Sequence, residues 1–238
     1  MKLNAYQLSV MAAASVKKNL TITIIGANDG RINDPLFPLI SGPLKNRCTA
    51  VLIEPNESLN SILRENYSFT KRKVIINSAV SNQSNITLYS VKEAFWAHCQ
   101  PTYAQNWPNY RAPTGITSVD RNFVKKWIEK YQSASFNSDA AIDSRTVRCS
   151  RLQPLLSEKA SMESIDVLQI DAEGHDDHVL YASDIELLLP GIIFIEITHL
   201  SRERLNALRK HLVECAYSCV LQGENMMAIR VPQDTTDP

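Results

Sequence analysis

The sequence predicts an α/β fold built on a doubly wound, mostly parallel sheet, and three observations support this prediction. Apolar runs of strand length alternate with stretches of helical character along most of the chain. The first of these runs, within residues 21–30, is uncharged and β-branched and ends in a glycine-bounded turn, as expected for a strand buried on both faces. Residues 217–221 and 226–231, joined by Gln-Gly-Glu-Asn, predict an antiparallel terminal hairpin, and therefore one reversed strand.

The elements of the first half of the chain follow in a regular order. An amphipathic helix over about residues 1–19 is expected to pack beside the first strand. Asp34-Pro35 supplies an N-cap and a first-turn proline for a short helix at 36–40. The next patterns predict, in order, a strand at 49–54, a helix at 57–67, a strand at 74–80 and a short strand at 85–91 at an edge of the sheet.

Between about residues 92 and 144 the regular pattern is lost, because Trp, Tyr, Pro, Asn and Ser are frequent there. We interpret this stretch as an insertion over the ligand edge of the sheet, with a helix at 119–131, in a single domain spanning residues 1–238. The remaining patterns predict a strand or extended link at 146–152, a helix at 152–160, a strand at 165–170, a helix at 177–189, a strand at 192–197 and a helix at 201–215.

Composition limits the kind of protein that this chain can be. Its 238 residues, 44% of them hydrophobic, suffice for the core of one α/β domain. The 25 basic and 25 acidic residues cancel, so no overall field attracts nucleic acid or an anionic membrane. Five cysteines without a Cys-x-x-Cys pair predict free thiols. With no signal peptide and no apolar segment near the ~20 residues of a membrane span, we expect a cytoplasmic protein.

The turn after the first strand and the acid after the second predict a cofactor site. Gly26 and Gly30 can adopt backbone angles, or accept close contacts, that a side chain forbids, so a ligand can lie against the N–H groups of the turn. Glu54 ends the second apolar run, where nucleotide-type ligands present their ribose hydroxyls in doubly wound folds. Turn and acid together predict a cofactor that contains adenosine.

Five short motifs then carry a resemblance to a known family. They are Gly-Ala-Asn-Asp-Gly at 26–30, Glu-Pro-Asn at 54–56, Ser-Ala-Val-Ser at 78–81, Ile-Asp-Ala-Glu-Gly-His at 170–175 and Ile-Glu at 195–196. In this order, at predicted strand ends, they resemble the FkbM family of S-adenosylmethionine-dependent methyltransferases. The resemblance implies a class I methyltransferase (Rossmann-like) fold with a seven-stranded sheet, S-adenosylmethionine as cofactor, and usually O-methylation of a sugar, glycan or secondary metabolite.

The resemblance also implies roles for particular residues around the cofactor. The turn Gly26, Ala27, Asn28, Asp29 and Gly30 is expected under the methionine moiety. Further residues are expected at the ribose (Glu54, Pro55, Asn56), at the adenine (Ser78, Ala79, Val80), and beside the sulfonium and the acceptor (Asp171, Glu173). Many family members carry Asp two residues before the first glycine, where this chain has Ile24; Asp29 or Asp171 is expected to replace that acid.

Methyl transfer needs a group that removes the acceptor proton and residues that align the reacting atoms. His175 and His199 follow strands whose ends face the cofactor, and Glu196 interrupts an apolar strand where a carboxylate needs a partner or a function. Asp171 and Glu173 either orient the acceptor, hold the cationic end of the cofactor, bind a divalent cation or cap the following helix. Asp171 is the tentative metal ligand, although spacing indicates no complete ligand set.

The acceptor is expected to contact the insertion. Its aromatic residues, Trp96, Tyr103, Trp107 and Tyr110, either stack on a sugar or planar acceptor or form a small local core, and Ser118 is a candidate for the pocket wall. The predicted partner is a small molecule or a glycan. Two other functions stay open: a nicotinamide-dependent oxidoreductase, disfavoured because the turn lacks the third glycine of Gly-x-Gly-x-x-Gly, and a non-catalytic binding module on the same fold.

Overall fold

The computed structural model describes residues 3–133 and 136–231; residues 1–2 and 232–238, the two ends of the predicted domain, and 134–135 of the predicted insertion lie outside the described residues. The strands, in chain order, are β1 (Leu20–Ile25), β2 (Cys48–Ile53), β3 (Lys73–Ile76), β4 (Ala79–Val80), β5 (Asn85–Val91), β6 (Ile142–Ser150), β7 (Val167–Ile170), β8 (Ile192–Glu196), β9 (Tyr217–Gln222) and β10 (Asn225–Arg230).

Seven of these strands form the main sheet, in the spatial order β3-β2-β1-β7-β8-β10-β9. The pairs from β3 to β8 are parallel, and β10 runs antiparallel to both of its neighbours. The terminal hairpin therefore places one reversed strand inside a parallel sheet. The predicted fold class, a mostly parallel seven-stranded sheet with an antiparallel C-terminal hairpin, is confirmed.

The register of the parallel strands aligns their carboxyl ends in one row. Ile25 pairs with Ile53 and with Ile170, Ile53 pairs with Ile76, and Ile170 pairs with Ile195. The residue after each of these positions therefore lies at the same edge of the sheet, where open α/β sheets bind ligands. These residues are Gly26, Glu54, Asn77, Asp171 and Glu196.

Helices cover both faces of the main sheet. In chain order the helices are α1 (Ala5–Val16), α2 (Phe37–Ser41), α3 (Asn60–Asn66), α4 (Arg111–Gly115), α5 (Arg121–Tyr131), α6 (Ser138–Ala141), α7 (Leu152–Ala160), α8 (Asp176–Tyr181), α9 (Ile185–Leu188) and α10 (Arg202–Glu214). Of these, α4, α5 and α6 belong to the insertion and not to the two covering layers. Alternate strand residues point to opposite faces, so Ile24 packs in a core with α1, α2 and α3, whereas Ile25 packs in a core with α7 to α10. The sheet is therefore doubly wound.

A second, three-stranded sheet corrects two predictions. The predicted strand at 74–80 is two strands, because the chain turns at Asn77 and β4 pairs with β6 instead of continuing β3. The predicted edge strand at 85–91 is wrong in its position: β5 pairs antiparallel with β6, from Asn85 with Arg148 to Val91 with Ile142, outside the main sheet. The predicted strand or extended link at 146–152 covers only the end of β6, because β6 begins inside the predicted insertion.

The predicted helix at 177–189 is also two helices. Asp184, between α8 and α9, takes a left-handed backbone conformation with a φ of 48° and interrupts the helix. The insertion holds its own small core, formed by Val91, Cys99, Ile116, Val124, Ile128, Ala141 and Ile142. Among residues 3–133 and 136–231, none of the helices combines the length and apolarity needed to cross a bilayer.

Candidate active site

A cleft of about 770 Å³ opens at the carboxyl edge of the main sheet, under the insertion. Its walls come from the ends of β1, β2 and β7, from the small sheet, and from the segment around α4. The lining residues are Ile25, Gly26, Asn28, Glu54, Pro55, Ser78, Ala79, Val80, Ile86, Leu88, Arg111, Thr114, Gly115, Thr117, Ser118, Val119, Asp171, Ala172, Glu173, His175 and Val179.

Gly26 permits the close approach of two loops at the floor of the cleft. Its φ is +75°, and a Cβ atom there would overlap the backbone carbonyl oxygen of Asp171. Only glycine both adopts this φ readily and leaves room for the Asp171 carbonyl oxygen. Position 26 therefore requires glycine because of contacts within the protein, whether or not a ligand is bound. Two residues later, Asn28 also has a positive φ of 47° and its side-chain amide contacts the Thr114 hydroxyl at 3.2 Å. The turn is thereby attached to the insertion above it.

Glu54 is buried against this turn, with 6% of its surface exposed. Its Oε2 accepts a hydrogen bond from the Asn28 N–H at 2.8 Å, and its Oε1 accepts one from the Asn56 N–H at 2.8 Å. Burial raises the pKa of Glu54 to about 7; the two N–H groups and the Arg111 charge oppose the rise, and Asp171 adds to it. Each carboxylate oxygen keeps a free lone pair for a further donor in the cleft.

The wall beside Glu54 is mostly apolar. Ala79 and Val80 of β4 face the cleft together with Ile86 and Leu88 of β5. Ser78 lies at the same wall, where its hydroxyl contacts the carbonyl oxygens of Ala79 and Arg148 at 3.1 and 3.3 Å. The small sheet, which the sequence did not predict, therefore supplies all four of these apolar residues. A flat apolar ring can lie there beside the buried carboxylate.

The opposite end of the cleft holds a cluster of carboxylates. Burial raises the pKa of Asp171, and burial together with Asp171 raises that of Glu173. Burial, with Asp171 nearby, likewise raises the pKa of Asp176 to about 7 and that of Glu196 to about 8. Among the described cleft-lining residues, Arg111 is the only one with a permanent positive charge. This end of the cleft therefore favours a positively charged ligand group.

Asp176, the first residue of α8, bonds the loop that precedes the helix, and no side chain of the described residues caps α8. The Asp176 carboxylate oxygens accept hydrogen bonds from the N–H groups of Ala172 at 2.7 Å and Gly174 at 3.0 Å. Asp171 and Glu173 line the cleft, in contrast to the alternative that they cap the helix. Asp176 thus holds the loop that presents the other two acids.

The two candidate histidines lie on different sides of Glu173. His175 lines the cleft and stacks on His178, with ring centroids 4.5 Å apart, and burial lowers its pKa to about 4. His199 lies outside the cleft, with Nε2 3.8 Å from Glu173 Oε2, and burial lowers its pKa too. Both imidazoles are therefore neutral at pH 7.

A side groove of about 680 Å³ continues from the cleft at Glu173 and His175. We call it the histidine groove; it is lined by Ser118, Val119, Asp120, Phe123, Glu173, Gly174, His175, His178, His199 and Arg204. Ser118 belongs to both the cleft and the groove, and its hydroxyl donates to the Glu173 carbonyl oxygen at 2.9 Å. The Phe123 ring meets the His199 ring at 4.8 Å, which gives the groove one apolar wall.

Several predicted residues lie outside the cleft. Gly30 packs against Leu63 and Tyr67 of the core. Asp29 is buried with 1% exposure, and its Oδ1 accepts the N–H groups of Arg31 and Ile32. Ala27 is buried, and Asn56 and Trp96 line a second side groove. Trp107 lies beside Arg111, and Glu196 lines a hollow next to Asp171.

Sequence analysis predicted Ser118 but missed the other residues that the insertion contributes to the cleft. Arg111 lines the cleft, donates to the Ile32 carbonyl oxygen at 2.8 Å, and has its guanidinium 5.6 Å from the Trp107 ring. Thr114 lies in the same helix as Arg111, Thr117 follows its end, and both line the cleft. No local pattern marks these residues, because their position depends on how the insertion folds back over the turn.

The sequence of the chain decides its family. A family description, Methyltransferase FkbM domain, matches residues 25–219. The chain belongs to the FkbM methyltransferase family. This confirms the resemblance of the five strand-end motifs, and the seven-stranded sheet is the one expected for a class I methyltransferase. Among curated protein sequences, no relative matches the chain.

Some solved structures are similar to this FkbM-family chain. The fibrillarin pre-rRNA processing protein of Methanococcus jannaschii matches 90% of this chain and 66% of its own length, at 10% identity and a TM-score of 0.46. The O-methyltransferase NovP matches 94% of this chain and 76% of its own length, at 10% identity and a TM-score of 0.41. A TehB-like SAM-dependent methyltransferase of Corynebacterium glutamicum matches 95% of this chain and 86% of its own length, at 9% identity and a TM-score of 0.40. These similarities are too low to support an inference about the substrate.

The acidic end of the FkbM-family site also brings possible metal ligands together. Ligand atoms of Glu173, Glu196 and His199 lie within 4.8 Å of one another, as do those of Asp171, Asp176 and Glu196. Among the described residues, Glu196 Oε2 is a buried oxygen without a hydrogen-bond partner. Carboxylates that crowd together in this way do not by themselves define a metal site, and the role of Asp171 as a metal ligand stays a prediction.

Proposed function

We propose that the chain transfers a methyl group from S-adenosylmethionine to a hydroxyl oxygen of a small-molecule or glycan acceptor. The observation that carries the proposal is the arrangement of the cleft. A buried carboxylate and an apolar slot form one end, and an acidic cluster forms the other. In S-adenosylmethionine the cationic sulfonium lies two bonds beyond the ribose ring. The nucleoside therefore fits the end with the buried carboxylate and the apolar slot, and the sulfonium fits the acidic end.

The residues at the nucleoside end fit the cofactor. Glu54 has lone pairs left for both ribose hydroxyls, since each oxygen accepts only one backbone N–H. Ala79, Val80, Ile86 and Leu88 provide the slot for adenine. Gly26 and Asn28 present the turn to the methionine portion, whereas Ala27, Asp29, Gly30 and Asn56 act indirectly by holding the shape of the turn and of Glu54.

The residues at the acidic end replace the acid that many family members carry at position 24. The Ile24 side chain is buried in the core with 1% exposure and does not line the cleft. Asp171 follows the neighbouring strand β7 and lines the cleft. We assign to Asp171 and Glu173 the stabilisation of the cofactor's positive charge, since opposite charges attract strongly where water is excluded.

The acceptor is assigned to the histidine groove, because this groove meets the cleft at the acidic end where the methyl group is supplied. Its hydroxyl, imidazole and carboxylate groups can bind hydroxyls, and Phe123 can pack on a ring. Trp96 lies at the ribose end of the cleft, in the other side groove. Trp107 contacts Arg111 and Tyr103 within the insertion and does not line the cleft, so we assign it no acceptor contact.

His175 is the proposed general base. Its imidazole is neutral at pH 7 and lines both the cleft and the histidine groove, so it can accept the acceptor proton while the acceptor oxygen forms its bond to the methyl carbon. The cofactor supplies the electrophilic methyl group. His199 and Glu196 are proposed as positioning residues that act through Glu173, to which their side chains are adjacent.

Two ligands separate this function from its alternatives. S-adenosylhomocysteine at about 100 times its Kd is expected to stabilise the chain by about 2.7 kcal/mol and to raise its Tm by about 5 to 10 °C, whereas NADH has no effect. Transfer of a ¹³C-labelled methyl group to a panel of hydroxylated acceptors should give a methoxy signal by NMR. Stabilisation by NADH alone would favour the oxidoreductase. Cofactor binding without transfer to any acceptor would favour the non-catalytic module.

Arg111 is expected to bind the carboxylate of the cofactor's methionine portion, because it is the permanent cation among the described residues of the cleft. Replacing Arg111 with alanine should weaken S-adenosylhomocysteine binding by about 1.5 to 3 kcal/mol, or about 10- to 150-fold. Binding of 5′-methylthioadenosine, which lacks the carboxylate, should change little. Calorimetric titration with both ligands measures the difference. Equal losses for the two ligands would mean that Arg111 only shapes the cleft.

A further inference from the structure

Three side chains with different metal-binding atoms meet on the surface where α9 approaches the end of α10. Glu186 belongs to α9, His211 to the last turn of α10, and Cys215 follows that helix. The Cys215 Sγ lies 3.4 Å from Glu186 Oε1 and 3.9 Å from His211 Nε2. The same Glu186 oxygen lies 3.7 Å from His211 Nε2. None of these three residues lines the cleft.

The separations of the three atoms match the size of a zinc ion's coordination shell. A point equidistant from the three atoms lies about 2.1 Å from each, within about 0.2 Å of usual zinc bonds to sulfur, nitrogen and oxygen. Shortening each separation by about 0.3 Å produces the base of a tetrahedron and leaves a fourth position for water. A thiolate and an imidazole together select zinc over magnesium or calcium.

The protein positions these ligands before any ion binds. His211 and Cys215 are four residues apart, so they lie on one side of the helix end. The Tyr181 ring packs edge-on against His211, with centroids 5.2 Å apart. Leu188, two residues after Glu186, and Leu212, next to His211, are both fully buried in the same core. The Glu186 side chain is 55% exposed, which leaves a path for an ion.

We propose that Glu186, His211 and Cys215 bind one zinc ion that ties α9 to the end of α10. The Cys215 thiol now donates a hydrogen bond to Glu186. Binding replaces this bond: the thiol proton leaves to solvent, and the thiolate, the carboxylate and the neutral imidazole coordinate the ion. The site is separate from methyl transfer, and the ion stabilises the folded chain by an amount that grows with the logarithm of its free concentration above its Kd.

Cobalt(II), which binds zinc sites and absorbs light, tests this proposal. Titration of the chelator-treated full chain is expected to produce a sulfur-to-cobalt charge-transfer band that saturates at one ion per chain and that zinc abolishes. Cys215→Ser should lose the band, and Cys219→Ser, a matched change at another half-buried cysteine, should keep it. The carboxylate cluster of the cleft offers cobalt no thiolate, so it cannot produce this band.

Glu186→Gln alters an exposed side chain and keeps the fold, so it provides a second variant if Cys215→Ser fails to fold. It is expected to lower cobalt affinity measurably in the same titration. No thiolate band in the wild-type chain would overturn the proposal. A band that persists unchanged in Cys215→Ser would also overturn it, and so would a cobalt affinity that Glu186→Gln leaves unchanged.

Discussion

Replacing Gly26 with alanine is expected to lower the free energy of unfolding by about 4 kcal/mol or more, which is exceptional for one methyl group. The added Cβ would overlap the Asp171 carbonyl oxygen, and the φ of +75° is unfavourable for alanine as well. The ends of β1 and β7 must then separate, and this separation disrupts the floor of the cleft. Urea unfolding, followed by the midpoint and slope, measures the loss.

Gly223 provides the matched control for this substitution. It has a similar φ of +61°, yet nothing lies within 4 Å of the position that its Cβ would occupy. Gly223→Ala therefore carries only the backbone cost of about 1 to 2 kcal/mol. If Gly26→Ala were no less stable than Gly223→Ala, the close approach of the two loops would not be a feature of the folded protein.

Replacing Glu54 with glutamine is expected to weaken S-adenosylhomocysteine binding by about 2 to 3 kcal/mol, or about 30- to 150-fold. The carboxylate accepts the N–H groups of Asn28 and Asn56 through separate oxygens, whereas an amide offers only one oxygen. The wild-type affinity should also fall as the pH drops below about 7, because the buried carboxyl, whose pKa is about 7, then takes up a proton. The glutamine variant should lack the part of this pH dependence that Glu54 causes, so its affinity should change less between pH 6 and pH 8 than that of the wild-type chain.

Calorimetric titration at pH 6 and pH 8 measures both effects. Glu57→Gln is the control, since Glu57 is an exposed acid three residues further along the same segment. It should bind the ligand as the wild-type chain does. A Glu54→Gln variant that bound with unchanged affinity at both pH values would remove Glu54 from the cofactor site.

The rim of the sheet could be predicted because strand ends carry clear local signals. An uncharged β-branched run marks β1 and a mostly apolar run marks β7, and parallel pairing then forces the residues after them, Gly26 and Asp171, to the same edge. The residue after β2, Glu54, follows from the same rule. These positions depend on periodicity and register, both of which one sequence contains.

Other features depend on contacts between distant segments, which one sequence does not contain. β5 has an alternating pattern that fits an edge of any sheet, and only its pairing with β6 distinguishes the small sheet from the main one. Arg111 enters the cleft because the insertion folds back onto the Gly26 turn through the contact between Asn28 and Thr114. Asp176, which is buried, accepts hydrogen bonds from two N–H groups of the loop that carries Asp171 and Glu173.

A crystal structure with S-adenosylhomocysteine bound tests the central proposal most directly, through the distances from the Glu54 carboxylate oxygens to the ribose hydroxyls. We expect both hydroxyls within about 3 Å of those oxygens, the adenine between β4 and β5, and the sulfur beside Asp171 and Glu173. A ligand bound elsewhere, or one whose ribose faces away from Glu54, would contradict the proposed cofactor site.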